Sequence, residues 1–483
     1  MKKLLVVALL SVGVAVSAED LQQIYDLAVE NDTQFAQAKI QRQIAGESMK
    51  QSISNLLPQI SINLTGEDPF TRKSRRTYPS GYINDPSLNR YGITEEDNAL
   101  WIVNDRKVNF PSGYSVNLSQ VLFSIPTFVS FRNSRLSFEG AKESFTSQEQ
   151  SLIIRVVRAY FDVLQARDSL DNTLARRESN ERQLQQTKQR YDVGLTAITD
   201  VLNAQASYDN LEVSLNAARN RLDTAFLALK RLTGQPIQQL ARLSEDYPVE
   251  NPDPNDEDQW VNYALQNNPG ILGAERNYKI ARWNHWNTLA NYFPIPTINL
   301  SVRYGYSEGA LTDPFTQLDT GYDWVDESVS RSIGSLNVSF QVAAGRRISQ
   351  NKVSALNREQ SRLNMINQRL TIEEQTRTQF RNVVQIVLQL DALERSLESS
   401  RASLDATEKG YEVGTRNIIE VLNAQNALFE RQLNYQNTIH NYITTMLQLK
   451  QTVGLLDPND LTELNAYMDH ENVVTPVNTM SGK

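Results

Sequence analysis

Residues 191–205 read YDVGLTAITDVLNAQ and residues 411–425 read YEVGTRNIIEVLNAQ, the same phrase repeated 220 positions later. Upstream, Leu57-Pro58 is matched by Phe293-Pro294, and the surroundings of Ala28 and Asn31 by those of Ala264 and Asn267, at an offset of 236. The offsets differ by 16 residues, which places an insertion between Pro58 and Ser115. A repeat this large means two structurally equivalent halves rather than a many-unit solenoid. Residues 19–234 form the first repeat and 259–454 the second, with 235–258 linking them and 455–483 following.

Each phrase carries a glycine, Gly194 or Gly414, where the two helices of an αα-hairpin must reverse, so tip turns are expected at 191–200 and 411–420. The stretches before them, 127–193 and 347–413, hold no proline and one glycine each, Gly140 and Gly410. As helices they would each span about 100 Å. No single globular core accommodates such lengths, so they must coil or bundle. After the first turn, residues 197–233 fill two heptad lines: Val201, Tyr208, Leu215, Leu222 and Leu229, and Ala204, Leu211, Ala218, Ala225 and Leu232. The second copy keeps the first line as Val421, Leu428, Tyr435, Tyr442 and Leu449, but its other line carries Arg431, Thr438 and Thr445, which predicts a more polar or wetter partner. A further helix near 33–56 precedes the strand region, and Pro269 marks the start of its counterpart. Stacked on the helix that follows the turn, it nearly matches the long helix in length.

Four segments alternate with period two: Ile62-Asn63-Leu64-Thr65, Val116-Asn117-Leu118-Ser119, Ile298-Asn299-Leu300-Ser301 and Leu336-Asn337-Val338-Ser339. Strands are expected at about 57–67, 113–123, 294–306 and 333–343. One face of each is aliphatic and the other carries amides and hydroxyls, as in a barrel wall between lipid and a wet lumen. A soluble sandwich is the alternative for strands alone. Four strands cannot close a membrane barrel; two chains would leave little lumen, whereas three supply twelve strands around a channel. Tyr82, Tyr91, Trp101, Tyr114, Phe123, Tyr304, Tyr306 and Trp324 lie in or beside these strands as candidates for interfacial girdles, and the connecting segments 66–111 and 307–331 read as external loops.

Lys2 and Lys3, the apolar run 4–16 and the small-residue end Val16-Ser17-Ala18 form a secretory signal peptide at 1–18. The run is too short for a membrane-spanning helix. The chain has no cysteine, hence neither a disulfide nor a lipid-attachment thiol. Without the signal lysines the formal charge moves from −8 to −10, spread without long blocks, which speaks against a nucleic-acid partner. Gly305-Tyr306-Ser307-Glu308-Gly309 matches a nucleophile elbow, but it follows an alternating strand and leads to Asp313-Pro314 rather than into a helix. His285, His440 and His470 lack metal-ligand spacing, and neither a P-loop nor a dinucleotide fingerprint occurs. No catalytic residue, metal or cofactor is assigned.

The two tip phrases, the signal peptide, the strand pairs and the duplicated long helices together resemble the TolC family of outer-membrane efflux proteins, over essentially the whole mature chain. The resemblance implies a mainly α fold with a membrane β-barrel portion: a homotrimer with a 12-strand barrel in outer-membrane lipid, a 12-helix periplasmic tunnel, and an equatorial collar from 235–258 and 455–483. It implies an exit duct for multidrug efflux or type I protein secretion in the outer membrane of a Gram-negative bacterium. It also implies partners: a periplasmic adaptor (membrane fusion) protein docking around Val193, Gly194, Leu195, Val413, Gly414 and Thr415, and an inner-membrane RND, ABC or MFS transporter. The tunnel would close at its tips, with Tyr411 and Arg416 tied to Asp200 and Thr199. Glu420 and Asn423 would ring the entrance; both positions are often acidic in the family, so Asn423 departs from a double carboxylate ring, and Glu420 is expected to set cation selectivity. The rival reading is a soluble periplasmic coiled-coil adaptor or scaffold, with its strands in a small β domain.

Overall fold

The computed structural model describes residues 19–65, 69–77, 101–109, 112–244, 246–290, 293, 295–311, 325–340 and 345–476. The signal peptide, Tyr82, Tyr91, Trp324 and the last residues of the C-terminal segment lie outside them. The helices repeat to the residue. Helices α1 (Leu21–Asn31) and α2 (Thr33–Ser54) recur 236 positions later as α5 (Glu257–Asn267) and α6 (Pro269–Ala290), while α3 (Ile125–Asp192) and α4 (Ile198–Thr233) recur 220 positions later as α7 (Gly345–Glu412) and α8 (Ile418–Val453). The long helices run 68 residues and those after the turns 36.

Contacts divide the chain into two compact units, each drawn from both copies: one holds Leu136–Lys279 and Arg358–Lys483 with residues up to Gly46, the other Glu47–Arg135 and Ile280–Asn357. In the helical unit the heptad lines of α4 face inward as their spacing predicts. Val201, Leu215, Leu222 and Leu229 are buried on one line and Ala204, Leu211 and Ala218 on the other. Leu215, Ala218, Leu222 and Leu229 join Leu21, Ile24, Leu152, Val156 and Tyr160 in one core, where each fully buried aliphatic side chain contributes about 1.5–3 kcal/mol. Helix α1 packs on α4 and α5 on α8, so the duplication extends to tertiary contacts. The short helices are stopped alike: the Asp32 carboxylate accepts from the Phe35 N–H at 2.7 Å, and the Asn268 side chain from the Ile271 N–H at 3.0 Å.

The segments expected at the equator pair with each other. Strand β5 (Leu240–Leu243) runs antiparallel to β8 (Met468–Val474), which follows helix α9 (Pro458–Asn465). The buried Tyr160 hydroxyl of α3 donates to the Ala241 carbonyl at 2.7 Å. Next to it Arg242 bonds Asp171 and lies 3.8 Å from Asp168. His440 of α8 is buried against the Phe161 ring, centroids 5.1 Å apart, with Nε2 4.0 Å from the Asp168 carboxylate.

In the second unit, β1 (Gln59–Thr65), β4 (Ser112–Phe123), β6 (Thr297–Leu311) and β7 (Val325–Ser339) form one antiparallel sheet in the order β1-β4-β6-β7. Register stacks like on like. Ile62 faces Val116, Val116 faces Tyr304, Val302 faces Leu118, and Ile298 and Leu300 face Val338 and Leu336. The opposite face aligns Asn63 with Ser115 and Ser301 with Ser335; the two Oγ atoms of the latter pair lie 2.8 Å apart, and Asn337 donates to Ser301 at 3.2 Å. The aliphatic face is bare: Ile62 is 66% and Leu64 82% exposed. Tyr114 stacks on Tyr306 with centroids 5.8 Å apart, so three of the girdle candidates form one cluster with Tyr304.

The connecting segments are not loops throughout. Residues 69–77 (β2, Pro69–Thr77) and 101–109 (β3, Trp101–Asn109) pair as an antiparallel ribbon, and β6 and β7 continue to Leu311 and from Val325. Composition misled here: the Gly, Pro and Asn content marked turns, but Trp101, Ile102, Val103 and Val108 are strong strand formers, and ladder pairing tolerates the intervening charges.

The buried pair at the equator makes stability depend on pH. Burial pushes the Asp168 carboxyl up to about 6 against the pull of Arg242, and pushes the His440 imidazole down to about 4 despite the nearby carboxylate. For His440 the folded value is depressed, so its contribution is complete above 6.5 and lost as pH falls toward about 4. For Asp168 the folded value is raised, so its contribution is present below 3.8 and lost as pH rises toward about 6. The two slopes oppose. Asp168→Asn should unmask the histidine: the variant loses roughly 1–3 kcal/mol between pH 6.5 and 4, over a range where the parent changes much less. Circular-dichroism melts at stepped pH measure this, and parallel curves for the two proteins would refute the assignment.

Candidate functional site

The helical tips and the open sheet edges are where this chain is built to meet something else. Both tip turns use one backbone device. The Leu195 N–H bonds the Arg190 carbonyl and the Thr415 N–H the Gly410 carbonyl, each at 2.8 Å, around Gly194 and Gly414 at φ +79°. That left-handed conformation is the one glycine adopts without penalty, so the sequence dictates the turn. Val193 and Leu195 are each 69% exposed and Val413 75%; Gly194, Gly414 and Thr415 are exposed beside them.

The side chains around the turns differ between copies. Tyr411 is buried with Ile418, Val421 and Leu422 in a small core of the second hairpin. Its first-copy equivalent Tyr191 is exposed, as is Ile198, and the first tip packs Leu184, Val201 and Ala204 instead. Arg416 donates to the Glu420 carboxylate at 2.6 Å, while the Glu420 N–H is capped by the Asn417 side chain at 2.9 Å. The Arg416 hydrogen bond, more than the Asn417 backbone, holds the Glu420 carboxyl below the usual carboxylate range. In the first copy Thr196 takes the place of Arg416 and donates to Asp200.

The expected tie between Tyr411, Arg416, Asp200 and Thr199 is therefore not made within one chain. Arg416 is spent on Glu420, Asp200 on Thr196, and Thr199 is exposed. The Tyr411 hydroxyl lies 3.5 Å from Thr187 Oγ1 rather than against a carboxylate. Of the entrance pair, Asn423 is exposed and Glu420 carries Arg416 on it.

What joins the two hairpins is a set that sequence reading did not single out. The Arg190 guanidinium lies 4.7 Å from the Tyr411 ring centroid, and its Nη1 donates to the Tyr411 carbonyl at 3.3 Å. Higher up, Arg176 donates to the Asn426 side chain at 2.7 Å and Asn172 to the Phe429 carbonyl at 2.9 Å. Beside Tyr411 a polar cleft of about 340 Å³ is lined by Gln183, Gln186, Arg182, Glu408 and Gln425. A signal for this set did exist: within otherwise matching phrases the arginine sits before the tyrosine in one copy, Arg190 against Gly410, and after it in the other, Arg416 against Thr196.

The elbow-like Gly305-Tyr306-Ser307-Glu308-Gly309 lies inside β6, within an antiparallel ladder to β7, rather than at a strand-to-helix turn.

Comparison with known proteins agrees with this architecture. The family described as Outer membrane efflux protein matches residues 24–235 and 260–455, the two repeats. The chain is 31% identical over 475 residues to Outer membrane protein TolC of Vibrio cholerae, covering 96% of this chain and 98% of the relative. It is 25% identical to Alkaline protease secretion protein AprF of Pseudomonas aeruginosa, covering 90% and 85%. The solved CmeC outer membrane channel of Campylobacter jejuni superposes with a TM-score of 0.66 at 18% identity, covering 93% of this chain and 90% of that one. Both copies of the hairpin and the strands between them fall within the matched residues, and this chain belongs to the outer membrane efflux protein family.

Proposed function

We propose that three copies of this outer-membrane efflux channel join edge to edge, β7 of one chain against β1 of the next, into a twelve-stranded barrel continued by the long helices as a periplasmic tunnel. The observation that carries this reading is the sheet itself. It has an aliphatic face exposed to the surroundings, a hydrogen-bonded polar face, and outer edges on β1 and β7 that no described strand pairs. A lone sheet in lipid would leave those edge groups unsatisfied, and closure with further copies removes the edge. The soluble adaptor reading has no use for such a face.

The chain is a conduit and not an enzyme. Energy for transport then comes from partners: an inner-membrane RND, ABC or MFS transporter, coupled by a periplasmic adaptor that grips the exposed Val193, Leu195 and Val413 at the tips. Exported proteins and small toxic molecules are both suitable cargo for a tunnel lined by polar side chains.

Closure is assigned to the tips. In the trimer, Arg416 exchanges its own Glu420 for Asp200 and Thr199 of a neighbouring hairpin, a charge-assisted set worth about 1.5–3 kcal/mol per hydrogen bond. The pair it leaves is a solvent-exposed one of little net value, so the exchange is cheap. Glu420 from three chains then lines the entrance.

Native mass spectrometry of the detergent-solubilised protein should give three times the chain mass, and a monomer soluble without detergent would end the barrel reading. In planar bilayers, Arg416→Ser should raise conductance several-fold, whereas unchanged conductance removes the latch. Glu420→Gln should shift the reversal potential in a salt gradient toward zero, and an unaltered value would show that selectivity is set elsewhere.

A further inference from the structure

We propose that Arg190 is the clasp that holds the second helical hairpin against the first within each chain, a positioning residue for the gate; this rests on the reading of the tips as the place of closure. Three contacts converge on one residue of α7. The Arg190 guanidinium covers the Tyr411 ring at 4.7 Å, Nη1 donates to the Tyr411 carbonyl at 3.3 Å, and Thr187, one turn earlier on α3, sets its hydroxyl 3.5 Å from the tyrosine hydroxyl. Tyr411 is only 5% exposed, so the ring is gripped rather than resting on a surface. The carbonyl that accepts from Arg190 belongs to the last turn of α7, where the aligned peptide dipoles leave partial negative charge and favour a cation.

The divergence of the two copies supports a dedicated role. At the position of Arg190 the second copy has Gly410, where an added Cβ would lie 2.7 Å from Arg416 Cγ. Gly410 leaves the space through which Arg416 folds back to reach Glu420. Arginine in the first copy and glycine in the second are thus complementary: one side chain crosses to the other hairpin, and its absence opposite makes room for the arginine that stays local. The first-copy tyrosine, Tyr191, is 43% exposed, and among the described residues no cation is stacked on it.

The clasp also differs from Arg416 in kind. Arg190 Nε is buried with no hydrogen-bond partner, so part of this cation is shielded from solvent. The Arg416–Glu420 pair has side chains 59% and 37% exposed. Raising salt weakens exposed ion pairs and leaves shielded cation–ring contacts largely intact. Any outward swing of α7 and α8 away from α3 has to break the Arg190–Tyr411 contact.

The test is conductance of the full-length trimer in planar bilayers at low and high salt. Arg190→Ala should raise the ratio of open to closed channel roughly tenfold, Arg190→Gln should match it, and Arg190→Lys should fall between, since an ammonium still sits over the ring. Tyr411→Leu should open the channel as Arg190→Ala does, and the double variant should open it no further. Heat-resistant trimers on gels confirm assembly; if Arg190→Ala does not assemble, Arg190→Gln and Tyr411→Leu carry the comparison. Arg416→Ser separates the two ideas: a channel opened by Arg416→Ser but not by Arg190→Ala or Arg190→Gln overturns the clasp and leaves the gate standing, and one opened by none of them overturns both.

Discussion

Backbone N–H and C=O groups along the outer edges of Gln59–Thr65 and Val325–Ser339 have no partner strand among the described residues, and that deficit shapes the rest of the molecule. In water such edges are hydrated at little cost. In hydrocarbon each unsatisfied group costs several kcal/mol, and the exposed Ile60, Ile62, Leu64 and Leu336 say that hydrocarbon is what this face meets. No helix among the described residues is long and apolar enough to cross a membrane. Strands β4, β6 and β7 span 12, 15 and 15 residues, enough for a tilted crossing. On the proposed reading, copies of the same sheet supply the missing edge partners.

The duplication then solves a geometric problem. A helical tunnel needs helices of matched length around its circumference. Copying one half at a constant offset supplies α3 with α7 and α4 with α8, equal to the residue. Helix length is kept between the copies without drift. Side chains at the tips are free of that constraint, and there the copies differ: Tyr411 buried and Tyr191 exposed, Ile418 buried and Ile198 exposed. This internal divergence makes the two hairpins of each chain unlike at their turns.

Much of this was legible in the sequence because long-period patterns are strong signals. Heptad lines such as Leu215, Leu222 and Leu229, the glycines at 194 and 414, and the alternation around Asn63, Asn117, Asn299 and Asn337 each follow from backbone geometry that a single chain fixes locally. The ribbon of Pro69–Thr77 with Trp101–Asn109 was missed because its two strands are far apart in sequence and its charges resemble those of a loop. At the tips the family resemblance named Arg416 and Asp200, but it could not say that Arg416 folds onto Glu420 within one chain. That choice depends on a four-residue helical spacing and on the missing side chain at Gly410, both of them tertiary details. Arg190 escaped for the converse reason: a lone arginine on a helix face is ordinarily a solvated charge, and only the fold brings a tyrosine from 221 positions away beneath it.

A gate also needs somewhere to yield, and the burial pattern supplies it. Around α1 the helices bury Leu152, Ile153, Val156, Leu222 and Leu229 in one continuous apolar core. Toward the tips each hairpin keeps only a small apolar cluster, and buried polar positions appear beside it: Asn180, Gln183, Thr187 and Gln425. Most are satisfied locally, Ser207 donating to Asn180 at 2.8 Å and Gln425 to Glu408 at 3.1 Å, while Gln183 Nε2 has no partner. Separating two apolar helix faces exposes area that water does not repay, whereas separating polar ones exchanges protein hydrogen bonds for bonds to water at a net cost of about 1 kcal/mol each. On the proposed reading of the tips as the gate, the same helices are firmly joined around α1 and more weakly at their ends, so local opening there needs no hinge in α3 or α7.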